Sequence, residues 1–188
     1  MPTPLKIAVL IASSRPQRVG PAVAEWVVAG TQDRADATYD LVDLADQDLP
    51  NLDEGQPAAA QHYTQDHTKA WSEKIAGYDG FIFVTPEYNR GIPGQLKNAL
   101  DFLYAEWNDK AAGIVCYGSS GGLRAAEQLK QILGELQIAT VRAQVSVSIF
   151  DDMKDYSVMA PRDFQAGSLQ TLMDQTERWA GALQPLRG

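Results

Sequence analysis

Five short stretches of the chain, at residues 6–12, 38–44, 80–85, 112–117 and 140–148, carry apolar residues either in unbroken runs or alternating with polar ones. The first, third and fourth are nearly continuous apolar runs, the pattern of strands covered on both faces. The second sets Tyr39, Leu41 and Leu44 against Asp40 and Asp43. The fifth sets Val141, Ala143, Val145 and Val147 against polar neighbours, so these two are expected at the sheet edges. Between and after the strands, apolar residues recur every three or four positions at 21–35, 60–75, 94–107, 123–136 and 164–183, which predicts five helices. In the last of these Leu169, Leu172, Met173, Thr176, Trp179, Ala180 and Leu183 form a stripe expected to face the core. The stretch 46–59, with Pro50, Gly55 and Pro57, is the one long irregular connection. Alternating strands and helices define an α/β fold with a parallel sheet, and right-handed crossovers with edge strands two and five give the order 2-1-3-4-5.

Composition narrows the picture. The chain has 188 residues, 45% of them hydrophobic, which suits one domain over residues 1–188. There are 24 acidic against 16 basic residues, a formal charge of −8, which argues against nucleic acid and anionic membranes as partners. The apolar run at 7–11 is too short to span a membrane and lacks the layout of a secretory signal. A single cysteine, Cys116, makes neither a disulfide nor a thiolate metal site, and inside an apolar strand it reads as core. A reducing cytoplasmic setting and no metal are expected. The charge is uneven: residues 1–24 contribute +3, whereas residues 33–54 hold eight acids against Arg34 alone.

In a doubly wound sheet, ligands bind beyond the carboxyl ends of the strands at the switch point, here between strands one and three. The loop after strand one carries Ser13, Ser14, Arg15, Gln17 and Arg18 before a helix. Hydroxyls, forked arginines and unpaired helix-start amides favour a dianionic phosphate, although an N-cap serine with two solvated arginines has the same sequence. The loop lacks the patterns of dinucleotide and triphosphate sites, which favours a monophosphate. After strand three come Pro86, Glu87, Tyr88, Asn89 and Arg90 among fixed prolines and glycines, suited to a flat heterocycle or to an ordinary turn. After strand four come Gly118, Ser119, Ser120, Gly121 and Gly122, where a ligand can approach the backbone or a helix can simply start.

These residues resemble the NADPH-dependent FMN reductases of flavodoxin-like fold, a family that includes chromate, quinone and azo-dye reductases. The resemblance spans 6–136 and rests on Ser13 to Arg18, on Thr85-Pro86-Glu87-Tyr88-Asn89 followed by Gly94, Leu96, Lys97, Asn98, Ala99 and Asp101, and on Gly118 to Gly122. Ala12 stands where many members have glycine. The resemblance implies that Ser13, Arg15, Gln17 and Arg18 hold the FMN phosphate. It implies that Pro86, Glu87, Tyr88 and Asn89 border the ring and ribityl chain, and that Gly118, Ser119, Ser120, Gly121 and Gly122 touch the ring edge. It further implies hydride transfer from NADPH or NADH to flavin N5 and on to a small acceptor by a ping-pong mechanism, with no side-chain catalyst. Arg90 and Arg124 are expected to be solvated rather than to contact the nicotinamide cofactor. Relatives are generally dimers. The helix over 95–107 carries Leu96, Ala99, Leu100, Phe102, Leu103, Tyr104 and Trp107 around much of its circumference, from Gln95 onward, so a homodimer or tetramer through it is expected, the alternative being a helix buried entirely within the monomer.

Two rivals arise from the same residues. Gly118 to Gly122 satisfies the Gly-x-Ser-x-Gly elbow of serine hydrolases with Ser120 as nucleophile. That fold needs a histidine after the serine, whereas His62 and His67 precede it and read as surface residues, too poorly spaced for a metal pair. A flavodoxin-like electron carrier suits the acidity but not the two arginines.

Overall fold

The computed structural model describes residues 4–187. Five parallel strands, β1 (Leu5–Ile11), β2 (Ala37–Asp43), β3 (Gly80–Pro86), β4 (Lys110–Gly118) and β5 (Ile138–Ser148), form a sheet in the order β2-β1-β3-β4-β5. This is the order the hydrophobic pattern predicts. Side chains alternate across the sheet, so each face carries its own core. Ala8, Leu10, Phe81 and Phe83 point to one face, under α2 (Asp66–Ala76), α3 (Gly94–Asp101) and α4 (Leu123–Glu135). Ile7, Val9, Ile11, Ile82 and Val84 point to the other, under α1 (Gly20–Ala29) and α5 (Asp163–Leu183). Helix α5 lies close on β4 because Gly113 has no side chain: a Cβ there would stand 2.6 Å from Leu172 and 2.8 Å from Thr176. Among the described residues no helix is long and apolar enough to cross a membrane.

The helix boundaries move where tertiary partners compete with periodicity. Helix α1 stops at Ala29, with Gly30 as its cap, rather than at 35. Helix α2 starts at Asp66 rather than 60, because the Glu54 carboxylate accepts the amides of Thr64 and Gln65 at 2.9 and 3.0 Å and holds that segment extended. At its other end the Lys110 ammonium donates to the Ile75 carbonyl at 2.7 Å, closing the helix C-terminus.

The helix expected over 94–107 is shorter than its periodicity predicts. It ends at Asp101, and the following residues turn so that Phe102, Leu103 and Trp107 all enter the same core as Leu96, Ala99 and Leu100. The Trp107 ring sits 5.0 Å from Phe81, and its indole N–H donates to the Leu100 carbonyl at 3.2 Å. Six of the seven apolar positions are buried within one chain, and Tyr104 is half-buried. In α5 the expected stripe is buried except for Trp179, which is 42% exposed, and Leu183, which is half-buried. In β2 Leu41 is exposed and Val42 is the buried residue. Cys116 is a buried free thiol that donates to the Val145 carbonyl at 3.5 Å, and burial pushes it up to about 12.

A small hairpin escaped the pattern. Strands β6 (Met153–Lys154) and β7 (Val158–Met159) pair antiparallel between β5 and α5. Two-residue strands carry too little periodicity to register in sequence.

Candidate active site

Register brings the loops together. Ile11 pairs with both Asp43 and Val84, Pro86 with Tyr117, and Gly118 with Ser148, so the carboxyl ends of all five strands share one rim. A cleft of about 410 Å³ opens there, within the size range of small-molecule sites. It is lined by Arg15, Gln17 and Arg18 on one side, Pro86, Glu87 and Tyr88 on the next, and Gly118 and Ser119 on a third.

Ser13 is fully buried behind this wall, with its hydroxyl 2.6 Å from the Tyr88 hydroxyl. The Tyr88 ring also supports the Arg15 guanidinium, 5.8 Å from the ring centroid. Gln17 holds a left-handed backbone (φ 56°), which turns the loop back toward α1. Arg18 pairs with the Asp43 carboxylate at the end of β2, and its Nε is buried without a partner. Helix α1 then begins at Gly20 with Pro21 in its first turn, and its leading amides have no partners within the helix. Gly20 is required: a Cβ there would stand 2.9 Å from the Tyr117 hydroxyl, which is itself buried without a hydrogen-bond partner. Burial raises the pKa of that phenol, so it remains a proton donor.

Tyr88 and Gly91 exchange backbone hydrogen bonds at 2.9 and 3.0 Å across Asn89 and Arg90, both with positive φ (50° and 70°), which is a type I′ turn. The turn is braced by Gln128 of α4, whose side-chain oxygen accepts the Ile92 amide at 2.7 Å. Asn89 and Arg90 are exposed at its tip, outside the cleft lining. Glu87 lies in the lining, but its carboxylate is already engaged: it accepts the Arg124 amide and the Arg124 guanidinium, each at 3.0 Å, capping α4. Partial burial opposes its charge, yet the Arg124 contacts hold it below the usual carboxylate range. Arg124 is therefore a structural partner rather than a free solvated cation.

The glycine-rich loop divides. Gly118 and Ser119 face the cleft and Ser120 is exposed outside it, whereas Gly121 and Gly122 are buried with φ of 75° and 76°. The Ser146 hydroxyl donates to the Gly121 carbonyl at 2.8 Å, so these two glycines shape the strand-to-helix turn beneath the site. No histidine serves Ser120: His62 is exposed, and His67 on α2 is bound to Asp53 at 2.9 Å. The hydrolase geometry is absent among the described residues.

Four lining residues were not anticipated. Val19 belongs to the first loop, and Tyr117 ends the apolar run of β4, where its sequence neighbours give its hydroxyl no distinguishing signal. Ile149 and Tyr156 come from the segment around the β6–β7 hairpin, beyond the span of the sequence resemblance.

Comparison with known proteins agrees with this architecture. Residues 5–152 match the family model described as NADPH-dependent FMN reductase, and the chain belongs to that family of oxidoreductases. It is 44% identical over 158 residues to an NAD(P)H-dependent FMN reductase of Schizosaccharomyces pombe, covering 83% of this chain and 79% of that protein. A 2-hydroxy-1,4-benzoquinone reductase of a Burkholderia species is 29% identical over 186 residues, covering 93% and 96%. The fold is shared with the flavoenzyme NAD(P)H:(acceptor) oxidoreductase FerB of Paracoccus denitrificans, at a TM-score of 0.73 and 22% identity over 95% of this chain and 98% of that one.

Proposed function

We propose that residues 1–188 form a single FMN-binding unit that oxidises NADPH or NADH and reduces a small-molecule acceptor by a ping-pong mechanism. The observation that carries this reading is that one end of the cleft brings together the Arg15 and Arg18 guanidiniums and Tyr117, whose hydroxyl is buried and unpartnered, beside Val19, the residue that leads into α1. That set suits a phosphate monoester and leaves no acidic side chain at that end except Asp43, which is neutralised by Arg18. Ser13, through Tyr88, and Gln17, through its left-handed backbone, hold this wall in shape. Pro86 to Tyr88 and Gly118 to Ser119 then border the space a flat ring system needs.

FMN held by Arg15, Arg18 and Tyr117 would supply the hydride chemistry that links NAD(P)H to the acceptor. The protein's part is to bind, orient and exclude water. The rigid I′ turn presents backbone groups of the Tyr88 loop, and the Glu87 cap fixes the start of α4 beside it. Donor and acceptor taking turns at the open side of the cleft would give ping-pong kinetics. A buried Cys116 with a free thiol suits a reducing cytoplasm.

The test is anaerobic mixing of FMN-loaded protein with NADPH and, separately, NADH. Bleaching of the yellow flavin band with at least one donor is expected, and parallel double-reciprocal plots when the acceptor is varied. Absence of bleaching with both donors would falsify the reading.

A further inference from the structure

The hairpin beyond β5 places two large aromatic side chains in solvent at the mouth of the cleft. Phe150 is 61% exposed and Tyr156 is 62% exposed, and their rings stand edge to face with centroids 6.0 Å apart. Tyr156 lines the cleft, together with Ile149. Asp155 and Tyr156 both have left-handed φ, 51° and 52°, and the Ser157 amide donates to the Lys154 carbonyl at 3.1 Å, so they form the tight turn of the hairpin. Non-glycine residues hold this conformation only where the surroundings fix it.

The surroundings do hold them. A hairpin of two-residue strands has little stability of its own. Here its first residue follows Asp152, whose carboxylate is fully buried and accepts four donors: the Ser148 amide at 2.7 Å, Arg162 Nε and Nη2 at 2.6 and 3.0 Å, and Gln165 Nε2 at 3.0 Å. The Ala160 amide donates to the Asp152 carbonyl at 2.8 Å on the return strand. Gln165, also buried, donates to the Ser146 carbonyl of β5 at 2.9 Å. A polar anchor of this kind fixes the two exposed rings relative to the sheet that carries the rest of the site.

We propose that this hairpin is the acceptor-side wall of the cleft, with Tyr156, buttressed by Phe150, selecting planar, uncharged aromatic acceptors of the quinone type over compact inorganic ones. The inference rests on the reductase reading above and adds the residues that choose the substrate. The cleft is polarised: its cations line the wall formed by the first loop, while the hairpin contributes to the lining only Ile149 and Tyr156. An apolar, aromatic wall rewards a neutral ring and offers nothing to an oxyanion. Two rings also fall well below the roughly 800 Å² per partner of a stable protein interface, and Tyr156 belongs to the cleft lining, so a second copy of the chain is not the favoured occupant. In the reaction NAD(P)H gives a hydride and the medium a proton. The quinone takes both and becomes the hydroquinone, with NAD(P)+ released.

The test compares 2-methyl-1,4-naphthoquinone with ferricyanide as acceptors at saturating NAD(P)H. In Tyr156→Ala the ratio of kcat/KM for quinone to that for ferricyanide is expected to fall about tenfold, the scale of one lost aromatic contact. Tyr156→Gly, which also relaxes the left-handed backbone, gives the same fall, and Tyr156→Phe preserves the ratio. A second readout needs no turnover: the Kd of FMN-loaded protein for coumarin, a redox-inert planar ring, by calorimetry, rises about tenfold in Tyr156→Ala and not in Tyr156→Phe. An unmoved ratio and an unmoved coumarin Kd, with wild-type flavin bleaching normally, overturn the hairpin assignment alone. Failure of wild type to bleach overturns it together with the reading it rests on. Equal losses for both acceptors accompanied by a change in oligomeric state also overturn it and make the rings a contact between copies.

Discussion

Adding one methyl group to Gly122 should cost more stability than most single changes in this chain, whether or not a ligand is present. Gly122 has φ 76°, where an L side chain is disfavoured by about 1–2 kcal/mol. An added Cβ would stand 2.6 Å from the Tyr117 nitrogen, 2.8 Å from the Tyr117 oxygen and 3.0 Å from the Cys116 carbonyl carbon. These are backbone atoms of β4, which is hydrogen-bonded between β3 and β5 and has no room to retreat, so overpacking adds about 1–3 kcal/mol. Gly122→Ala is therefore expected to lose about 3 kcal/mol, out of a total of about 5–15 kcal/mol for a domain of ordinary stability. At this chain length that corresponds to a Tm lower by about 6–12 °C. Urea unfolding of ligand-free protein, followed by circular dichroism, measures it. Gly134→Ala is the matched control: Gly134 lies within α4, where an added Cβ meets nothing within 4 Å, so that variant should gain about 0.5–1 kcal/mol. A Gly122→Ala protein within about 1 kcal/mol of wild type would refute the steric account and return the glycine to a ligand-contact role.

Three further outcomes are expected. Arg15→Ala should weaken FMN binding by about tenfold or more while changing riboflavin binding little, since the lost contact is to phosphate; equal losses in a fluorescence titration would remove the phosphate assignment. Asp152→Ala should cost about 3 kcal/mol in urea unfolding, because it strands the buried Gln165 and the Ser148 amide and frees the hairpin. Burial, and next the nearby Arg187, hold the Lys110 ammonium down to about 7. Since the folded pKa lies below the ordinary lysine value, the unfolded chain binds more protons between about pH 7 and pH 10, and stability should rise with pH across that window. Lys110→Met should flatten that rise, and a wild-type urea midpoint unchanged between pH 7.5 and 9.5 would contradict the shift.

The strands were legible because a covered parallel sheet demands apolar runs such as Ile7 to Ile11 and Phe81 to Val84, and nothing nearby competes with that demand. Helix ends were less legible because long-range partners set them. Glu54 caps residues ten and eleven positions away, and the Asn98 side chain reaches Pro50 and Leu52 across the irregular loop. The same holds for the segment 102–107, whose apolar excess looks like a second exposed face until Trp107 is seen folded against Phe81 and Trp71. In the site, Arg15, Gln17 and Arg18 stand out by composition alone, as do Pro86 to Tyr88. Tyr117 does not, because its hydroxyl acquires meaning only opposite Gly20, ninety-seven positions earlier. Ile149 and Tyr156 sit in a segment whose strands are too short to show a period.

The uneven charge of the chain finds its use at the same rim. The acidic stretch 33–54 seemed separate from the basic first loop, yet the order β2-β1-β3-β4-β5 sets the end of β2 directly beside the end of β1. Asp43 is the last residue of β2, and it meets Arg18 there while its other oxygen accepts the Ala45 amide at 2.9 Å. A guanidinium presents a planar fork of five donors, enough to serve one carboxylate and still face a second anion. Asp43 thus restrains a side chain that would otherwise lose considerable rotamer freedom on binding, and a restrained donor binds its ligand at lower entropic cost. The acidity that argues against nucleic acid as a partner therefore also orients the cation at the end of the cleft where we propose that a phosphate binds.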